Sequence, residues 1–171
     1  MNKQRQAKQD QFKEPQQRFG GKVLLFSAVL LVVAVAGFFT LSTGGEAEHY
    51  AGVKSVNGEV RLDLNSVDDG QAHYFKYTST KGDIPFFVIK SVDGVMRAAF
   101  DACDVCYREK KGYRQEGDMM ICNNCNMQFK SDLINVVKGG CNPAPLTRRI
   151  EGGQLVINGH DILKGAWYFG S

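Results

Sequence analysis

The chain has 171 residues, with 21 basic and 18 acidic side chains, a formal net charge of +3, and 43% hydrophobic residues. Six of the basic and two of the acidic residues lie in residues 1–22, which leaves 15 basic and 16 acidic residues for the remainder. The remainder is therefore nearly neutral and has no basic block, so nucleic acid is not an expected partner. Its roughly 130 residues suit one domain with its own core.

Residues 1–22 are polar and rich in glutamine and lysine, which predicts a disordered tail. Residues 23–41 contain no charged side chain and would span about 28 Å as a helix, close to one bilayer crossing. Basic residues precede this segment and acidic residues follow it, so the positive-inside rule predicts a cytoplasmic tail and a single-pass anchor in the plasma membrane. Residues 42–49 then form a linker, and residues 50–171 form an extracytoplasmic domain, periplasmic or extracellular.

A cleavable signal peptide is the alternative interpretation of the N-terminus, because Ala34-Val35-Ala36 has the small-x-small form of a cleavage site. The apolar run continues beyond this site to Leu41, which favours an uncleaved anchor. Both interpretations place the rest of the chain outside the cytoplasm.

Short strands joined by tight turns dominate the predicted domain. Asn57-Gly58 separates residues 53–56 from residues 59–64, in which Val60 and Leu62 alternate with polar residues, as in a hairpin with a primed turn and one exposed face. Residues 71–79 predict a further strand. The fold class expected is mainly β (α+β), built from hairpins and a cysteine-rich segment.

A second hairpin is predicted for residues 85–91 and 95–100, which flank Asp93-Gly94. Its run Phe86-Phe87-Val88-Ile89 is apolar at successive positions, which indicates a strand covered on both faces. A third hairpin is predicted around Gly152-Gly153, and the aromatic residues 167–169 are expected to cap the sheet. Residues 129–137 carry apolar side chains at helical spacing, which predicts a short helix with Ser131 as its N-cap and an end near Lys138-Gly139.

All five cysteines lie in one segment, with the spacing C-x2-C, fifteen residues, C-x2-C, fifteen residues, C: Cys103, Cys106, Cys122, Cys125 and Cys141. Each C-x2-C pair allows two sulfurs of one tight turn to face the same ion, which is typical of a four-thiolate metal site. The first pair follows the predicted core hairpin directly. Gly112 and Gly117-Asp118 allow the chain to turn and bring the second pair beside it.

Several uses of these thiols remain open. Disulfides are common outside the cytoplasm, but five cysteines cannot pair completely. A dithiol redox enzyme normally places its C-x2-C at the start of a helix in a βαβ unit, whereas these pairs lie among turns. A c-type haem would require histidine where Tyr107 and Asn126 stand. A metal site is favoured, and four thiolates suit zinc, iron or an iron-sulfur cluster.

Copper is a further alternative, since Met119, Met120 and Met127 lie close to the second pair, although core filling is the preferred interpretation of these methionines. The three histidines are dispersed, and none is expected to be a ligand. The chain carries no motif of hydrolytic or phosphoryl-transfer enzymes, so electron transfer or metal binding is favoured over catalysis.

The run from Arg97 to Tyr107, together with Lys111-Gly112-Tyr113, Cys122-Asn123-Asn124-Cys125, Phe129, Ile134-Asn135 and residues 139–143, resembles the membrane iron-sulfur-containing proteins of the FtrD-like type. The resemblance covers roughly residues 80 to 170. It implies that Cys103, Cys106, Cys122 and Cys125 are ligands and Cys141 an additional one, and that the cofactor is an iron-sulfur cluster or iron. It also implies a part in iron transport, beside an iron permease or a redox partner protein.

Two functions follow as hypotheses. The first is an electron-transfer or metal-handling accessory of iron uptake, anchored at the outer face of the plasma membrane. The second is a structural or interaction module held together by a closed four-cysteine zinc site. A closed site leaves Cys141 without a role, whereas its place on a turn bounded by glycine and proline suggests that it is used.

Overall fold

The computed structural model describes residues 49–170 of the chain. The predicted tail and anchor, and all of the predicted linker except residue 49, lie outside this range. Between residues 49 and 170, no helix is both long enough and apolar enough to cross a bilayer.

The described domain is mainly β, as predicted, with hairpins and one short helix. Its strands are β1 (Ala51–Val53), β2 (Glu59–Asp63), β3 (His73–Ser79), β4 (Gly82–Lys90), β5 (Met96–Phe100), β6 (Tyr113–Glu116), β7 (Met119–Cys122), β8 (Gln128–Lys130), β9 (Arg149–Glu151) and β10 (Gln154–Asn158), and its helix is α1 (Gly159–Lys164). The strands form a central sheet in the order β1-β3-β4-β5, an apolar-side sheet in the order β2-β10-β9, and a cysteine-side sheet in the order β6-β7-β8.

Strand β4 lies inside the central sheet and is covered on both faces, as its continuous apolar run predicted. Side chains of a strand alternate between faces. Phe86 and Val88 accordingly belong to one core, which they share with residues of β2, β10 and α1. Phe87 and Ile89 belong to a second core, shared with β6, β7 and four of the cysteines, of which Cys103 and Cys122 are buried. The central sheet therefore separates an apolar layer from the layer that carries the thiols.

The turn at Asn57-Gly58 is confirmed, but the strands beside it do not form the predicted hairpin. Both residues have positive φ, +53° and +82°, as a primed turn requires. Strand β2 pairs with β10, however, and β1 pairs in parallel with β3. Pairing with β10 buries Val60 and Leu62 of β2, whereas Val56 beside the turn is left 69% exposed. Apolar burial thus decides the partner of β2.

The other predicted strand pairings are confirmed. Residues 71–79 contain β3, and β4 and β5 pair as an antiparallel hairpin around Asp93-Gly94. Strands β9 and β10 form the hairpin at Gly152-Gly153. Strands β6 and β7 turn back at Gly117-Asp118, which is the reversal expected between the two cysteine pairs.

The short helix predicted for residues 129–137 is wrong. Residues 128–130 form β8 beside β7, and a single 3-10 turn, Ser131–Leu133, follows. The apolar spacing did not mark a buried helix face, since Leu133, Val136 and Val137 are 41%, 61% and 43% exposed.

Asn135 explains why this segment is not helical. Its φ is +69°, outside the right-handed helical region. Its side-chain amide donates a hydrogen bond to the carbonyl of Ala98 at 2.7 Å and accepts one from the Ala98 N–H at 3.3 Å. Asn135 therefore fixes the segment to β5 through side-chain contacts that compete with a helix.

Tyr168 and Phe169 pack against Phe100 at the end of β5, with ring centroids 5.8 and 6.4 Å away, which confirms the expected cap. Trp167 stacks on Tyr168 at 3.8 Å and is itself 54% exposed.

Candidate metal centre

The first cysteine pair follows β5 after a two-residue extension. The N–H of Asp101 donates to the carbonyl of Pro85, which continues the pairing with β4. Within the C-x2-C turn, the carboxylate of Asp104 accepts a 2.6 Å hydrogen bond from the Tyr168 hydroxyl. The turn is thus held at both ends by rigid elements.

The second pair begins at the last residue of β7, where Cys122 pairs with Tyr113 of β6. The side chain and backbone of Asn123 then bond to the loop between the two pairs: Nδ2 donates to the carbonyl of Lys111 and the N–H donates to the carbonyl of Gly112. These contacts bring the second turn next to the first, as the glycines in the loop predicted.

Cys141 is positioned by a segment that the sequence did not identify as a strand. Residues 144–146 run antiparallel to β5, with hydrogen bonds from the Phe100 N–H to the Ala144 carbonyl, from the Ala144 N–H to the Ala102 carbonyl, and from the Leu146 N–H to the Ala98 carbonyl. The hydroxyl of Tyr113 also donates to the carbonyl of Cys141 at 2.6 Å. Cys141 therefore returns beside the first pair on fixed backbone.

The structure brings all five predicted cysteines together, in two groups of three sulfurs. The sulfurs of Cys103, Cys106 and Cys122 lie within 4.8 Å of one another, and so do those of Cys106, Cys125 and Cys141. Cys106 belongs to both groups. The first C-x2-C pair lies within one group, whereas the second pair is divided between the two.

All five cysteines are free thiols. The sulfurs of Cys106 and Cys141 are 3.9 Å apart, about twice the length of a disulfide bond. Two sulfurs that bind one tetrahedral ion at about 2.3 Å each lie roughly 3.8 Å apart. The separation thus matches two ligands of one ion.

The centre has a buried end and an exposed end. Cys103 and Cys122 are 1% and 2% exposed, Cys106 and Cys141 are half-buried, and Cys125 is exposed. Val105, next to Cys106 in the first cysteine turn, is 63% exposed, and Met127, two residues after Cys125, is 52% exposed. The sulfurs therefore reach from the core to the surface.

Backbone N–H groups point at several of the sulfurs. The Cys106 N–H donates to the Cys103 sulfur at 3.2 Å. The N–H groups of Cys125 and Asn124 bond to the Cys122 sulfur, and that of Met127 bonds to the Cys125 sulfur. Such bonds favour the thiolate form, which is the form that binds metal.

The two ends of the centre differ in thiol pKa. Burial raises the pKa of Cys122 to about 11, although two backbone N–H groups oppose the shift. Burial and the neighbouring thiols of Cys125 and Cys106 raise the pKa of Cys141 to about 12. The Met127 N–H lowers the pKa of Cys125. In the absence of metal, Cys125 is thus the most readily ionised of the thiols of Cys122, Cys125 and Cys141.

A network around Asp101 supports the centre and was missed by the sequence analysis. Asp101 is 4% exposed, and its carboxylate accepts hydrogen bonds from the Tyr50 hydroxyl at 2.6 Å and the Tyr113 N–H at 2.7 Å. Gly112 has φ +61°, and a Cβ there would overlap this carboxylate. A glycine just before a strand, together with an acidic residue just before a cysteine pair, is the signal that could have identified the contact.

A cavity of about 240 Å³ adjoins the buried end of the centre. The cysteines that line it are Cys103, Cys106 and Cys122, which are the first group. Lys110, Lys111 and Asp83 are exposed lining residues, so the cavity carries both cationic and anionic groups at its surface side.

The methionines near the second cysteine pair differ in burial, so core filling is correct for Met120 and wrong for Met127. Met120 is fully buried in the second core, which confirms core filling there. Met127 is exposed and contributes backbone contacts to the second cysteine turn. His73 pairs with Asp69, and His160 is exposed at the start of α1. Neither histidine belongs to the two sulfur groups.

Comparison with known proteins gives one family. The sequence model of the family described as "Membrane iron-sulfur containing protein FtrD-like" matches residues 67–169, which is more than half of the chain and includes every cysteine. No curated protein matches the sequence.

Among solved structures, the chain is similar to the crystal structure of the quaternary ammonium Rieske monooxygenase CntA in complex with an inhibitor. The TM-score is 0.39 and the sequence identity 17%, over 58% of this chain and 30% of that chain. The chain thus spans less than a third of the length of that protein.

Proposed function

Because the chain belongs to the FtrD-like family of membrane iron-sulfur containing proteins, we propose that it is a membrane-anchored electron-transfer or metal-handling accessory of iron transport. The observation that carries the proposal is the continuous set of five sulfurs, buried at one end and exposed at the other. A bound iron-sulfur group or iron would supply a one-electron redox couple at this point.

The donor set fits such a group. Thiolates are the ligands of iron-sulfur clusters, and hydrogen bonds to the sulfurs and solvent exposure set the reduction potential. Here the chain provides backbone N–H donors to Cys103, Cys122 and Cys125, and it excludes water from the first and second of these. These residues would hold the group in its thiolate-bound form and tune its potential.

The exposed end supports transfer to a partner. Electron transfer requires close approach, and Cys125 is exposed, as is Met127 two residues later in the chain. Val105, which is also exposed, precedes Cys106, whose sulfur lies within 4.8 Å of that of Cys125. Exposed apolar groups favour protein contact. A redox partner protein or an iron permease docking here would approach the centre from the side of Cys125.

A closed four-cysteine zinc site is less well supported by the same geometry. Such a site uses four ligands and keeps them away from solvent. The fifth sulfur, of Cys141, lies 3.9 Å from that of Cys106, and Cys125 is exposed. The sulfur set is thus larger and more open than a closed structural site needs.

The location follows from the sequence. With residues 23–41 as an uncleaved anchor and the basic tail inside, the cysteine domain stands outside the plasma membrane. A reporter enzyme that is active only after export, fused after Ser171, should be active. Activity confined to a cytoplasmic reporter at the same position would contradict the orientation.

The central test is to purify the full chain in detergent without oxygen and measure iron, acid-labile sulfide, the absorption spectrum and reversible voltammetry. We expect bound iron and a reversible redox wave. Cys103→Ser and Cys122→Ser should each lower the iron content by at least half. His73→Gln serves as the matched control outside the centre and should change neither the iron content nor the redox wave. Stoichiometric zinc with no redox wave would support the structural site instead.

A further inference from the structure

The sulfur geometry points to a centre with two metal positions that share the thiolate of Cys106, and we propose this arrangement for the site assigned above. The inference rests on the proposed metal-binding function and specifies which of the five cysteines bind each metal position. It departs from a single four-cysteine site, in which each C-x2-C pair would serve the same ion.

The first argument is the grouping of the sulfurs. Three sulfurs within 4.8 Å of one another can bind a common ion at metal–sulfur distances of about 2.3 Å. Two such groups are present, and each has two sulfurs of its own: Cys103 and Cys122 in the first, Cys125 and Cys141 in the second. Cys106 completes both, so its thiolate is the natural bridge.

The second argument is the count of ligands. Five cysteines exceed the four needed by a closed tetrahedral site by one. With Cys106 shared, each position receives three protein sulfurs, and no cysteine is left over. Each position then keeps one coordination place for a ligand that does not come from the chain, which is the property of a reactive or exchanging site rather than a structural one.

The third argument is the surroundings of the two groups. The cavity of about 240 Å³ is lined by the three cysteines of the first group. The second group contains the exposed Cys125 and the half-buried Cys141, and it faces the surface. A small ligand in the cavity therefore reaches the first position, while the second position is reached from solvent or from a docked protein.

Backbone contacts hold the shared residue in place. The N–H of Cys106 bonds to the sulfur of Cys103, and its carbonyl accepts the N–H of Glu109, which closes the short 3-10 turn Tyr107–Glu109. The ring of Tyr107 in that turn packs against Trp167 at 5.2 Å. The contacts that position Cys106 thus come from its own turn and not from the hairpin of β6 and β7.

The test is titration of the reduced, metal-free full chain in detergent with Co²⁺, which is followed by sulfur-to-cobalt absorption, native mass spectrometry and electron paramagnetic resonance. We expect two Co²⁺ per chain. The paramagnetic resonance signal should rise until one equivalent of Co²⁺ is bound. It should then fall as the second Co²⁺ binds, because a bridging thiolate couples the spins of the two ions. One Co²⁺ per chain, or a signal that rises linearly to two, would overturn the proposal.

Serine variants test the assignment residue by residue. Cys103→Ser and Cys141→Ser should each weaken one of the two binding steps at least tenfold and leave the other unchanged. Cys106→Ser should weaken both steps and abolish the spin coupling. If Cys106→Ser affects a single step, as Cys141→Ser does, the sulfur is not shared. Near-ultraviolet circular dichroism of each metal-free variant checks that the fold is retained. If a variant does not fold, the titration of the wild-type protein still tests the proposal.

Co²⁺ binding does not depend on electron transfer, so the two proposals fail separately. One metal per chain with a reversible redox wave in the iron-loaded protein would overturn the shared-thiolate arrangement and leave the electron-transfer function standing. Two coupled Co²⁺ ions, together with no redox wave in the iron-loaded protein, would support the shared-thiolate arrangement and overturn the electron-transfer function.

Discussion

On one face of the central sheet, Phe86 and Val88 pack into a core of aliphatic and aromatic side chains supplied by β2, β10 and α1. On the other face, Phe87 and Ile89 pack into a second core that includes Cys103 and Cys122, with the loops of the cysteine segment beside it. Three of the four non-glycine residues with positive φ among residues 49–170 lie in those loops: Lys110, Asn126 and Asn135. The apolar side is thus stabilised by burial, and the cysteine side depends on strained turns and specific polar contacts.

The difference separates stability from function, because the same strand supplies both faces. A change on the apolar side should alter the free energy of unfolding and leave the metal centre intact. A change on the cysteine side should alter both.

Phe86→Ala and Phe87→Ala form a matched pair, since the residues are adjacent and both are fully buried. Each should reduce the free energy of unfolding by about 3 to 5 kcal/mol. Only Phe87 contacts Tyr113, at 6.3 Å between ring centroids, so only Phe87→Ala should also lower metal content. Denaturant unfolding and metal analysis measure the two effects. Equal loss of metal in both variants would show that the two faces are not separable.

Gly112→Ala should destabilise the cysteine side more than an ordinary glycine substitution. Gly58→Ala is the control: it has a positive φ but open space around its Cβ, and left-handed strain alone should cost about 1 to 2 kcal/mol. At Gly112 the added carbon also overlaps the buried carboxylate of Asp101, so the loss should be roughly twice as large. Thermal unfolding compares them. Equal shifts in Tm would mean that the Asp101 contact yields without cost.

The smallest expected effect is a loss of folding stability at low pH through Asp93. Asp93 accepts hydrogen bonds from Ser91 and Val95, and it pairs with Arg97, which lowers its pKa to about 2. Arg97 in turn donates to the carbonyl of Ile134 on the cysteine side. A depressed folded-state pKa gives stability that is present above the ordinary value of 3.8 and is lost as the pH falls through 2.

Asp93→Asn should therefore be less stable than the wild type at pH 5 and nearly equal to it below pH 2. Unfolding curves over this range, with Asp83→Asn as an exposed control, measure the difference. A constant gap between Asp93→Asn and the wild type at all pH values would exclude the titration of Asp93 as its cause.

Local patterns in the sequence predicted much of the apolar side. The apolar run in β4 and the turn glycines beside β5 and β10 act within a few residues, so they can be recognised without knowledge of the fold. The partner of β2 could not be predicted in this way, because β10 lies some ninety residues away and the choice depends on which pairing buries more apolar surface.

On the cysteine side, the thiol spacing predicted the centre, but its supports were hidden. Pro143 and Pro145 obscure the extended segment that pairs with β5, since proline argues against a strand. Asn135 lies in an apolar pattern typical of a helix, yet its side chain bonds to Ala98. Contacts of this kind join residues far apart in the chain and leave no periodic signal.

The pairing of residues 144–146 with β5 also sets the order in which the centre can form. Cys106 and Cys141 are 35 residues apart, and closing a loop of that length costs on the order of 3 kcal/mol in chain entropy. Because the chain is synthesised from its N-terminus, the first four cysteines are exposed before Cys141 is added. Completion of the sulfur set is therefore a late event in folding, and the thiols are most vulnerable to oxidation during the interval before the C-terminal third of the domain has folded against β5.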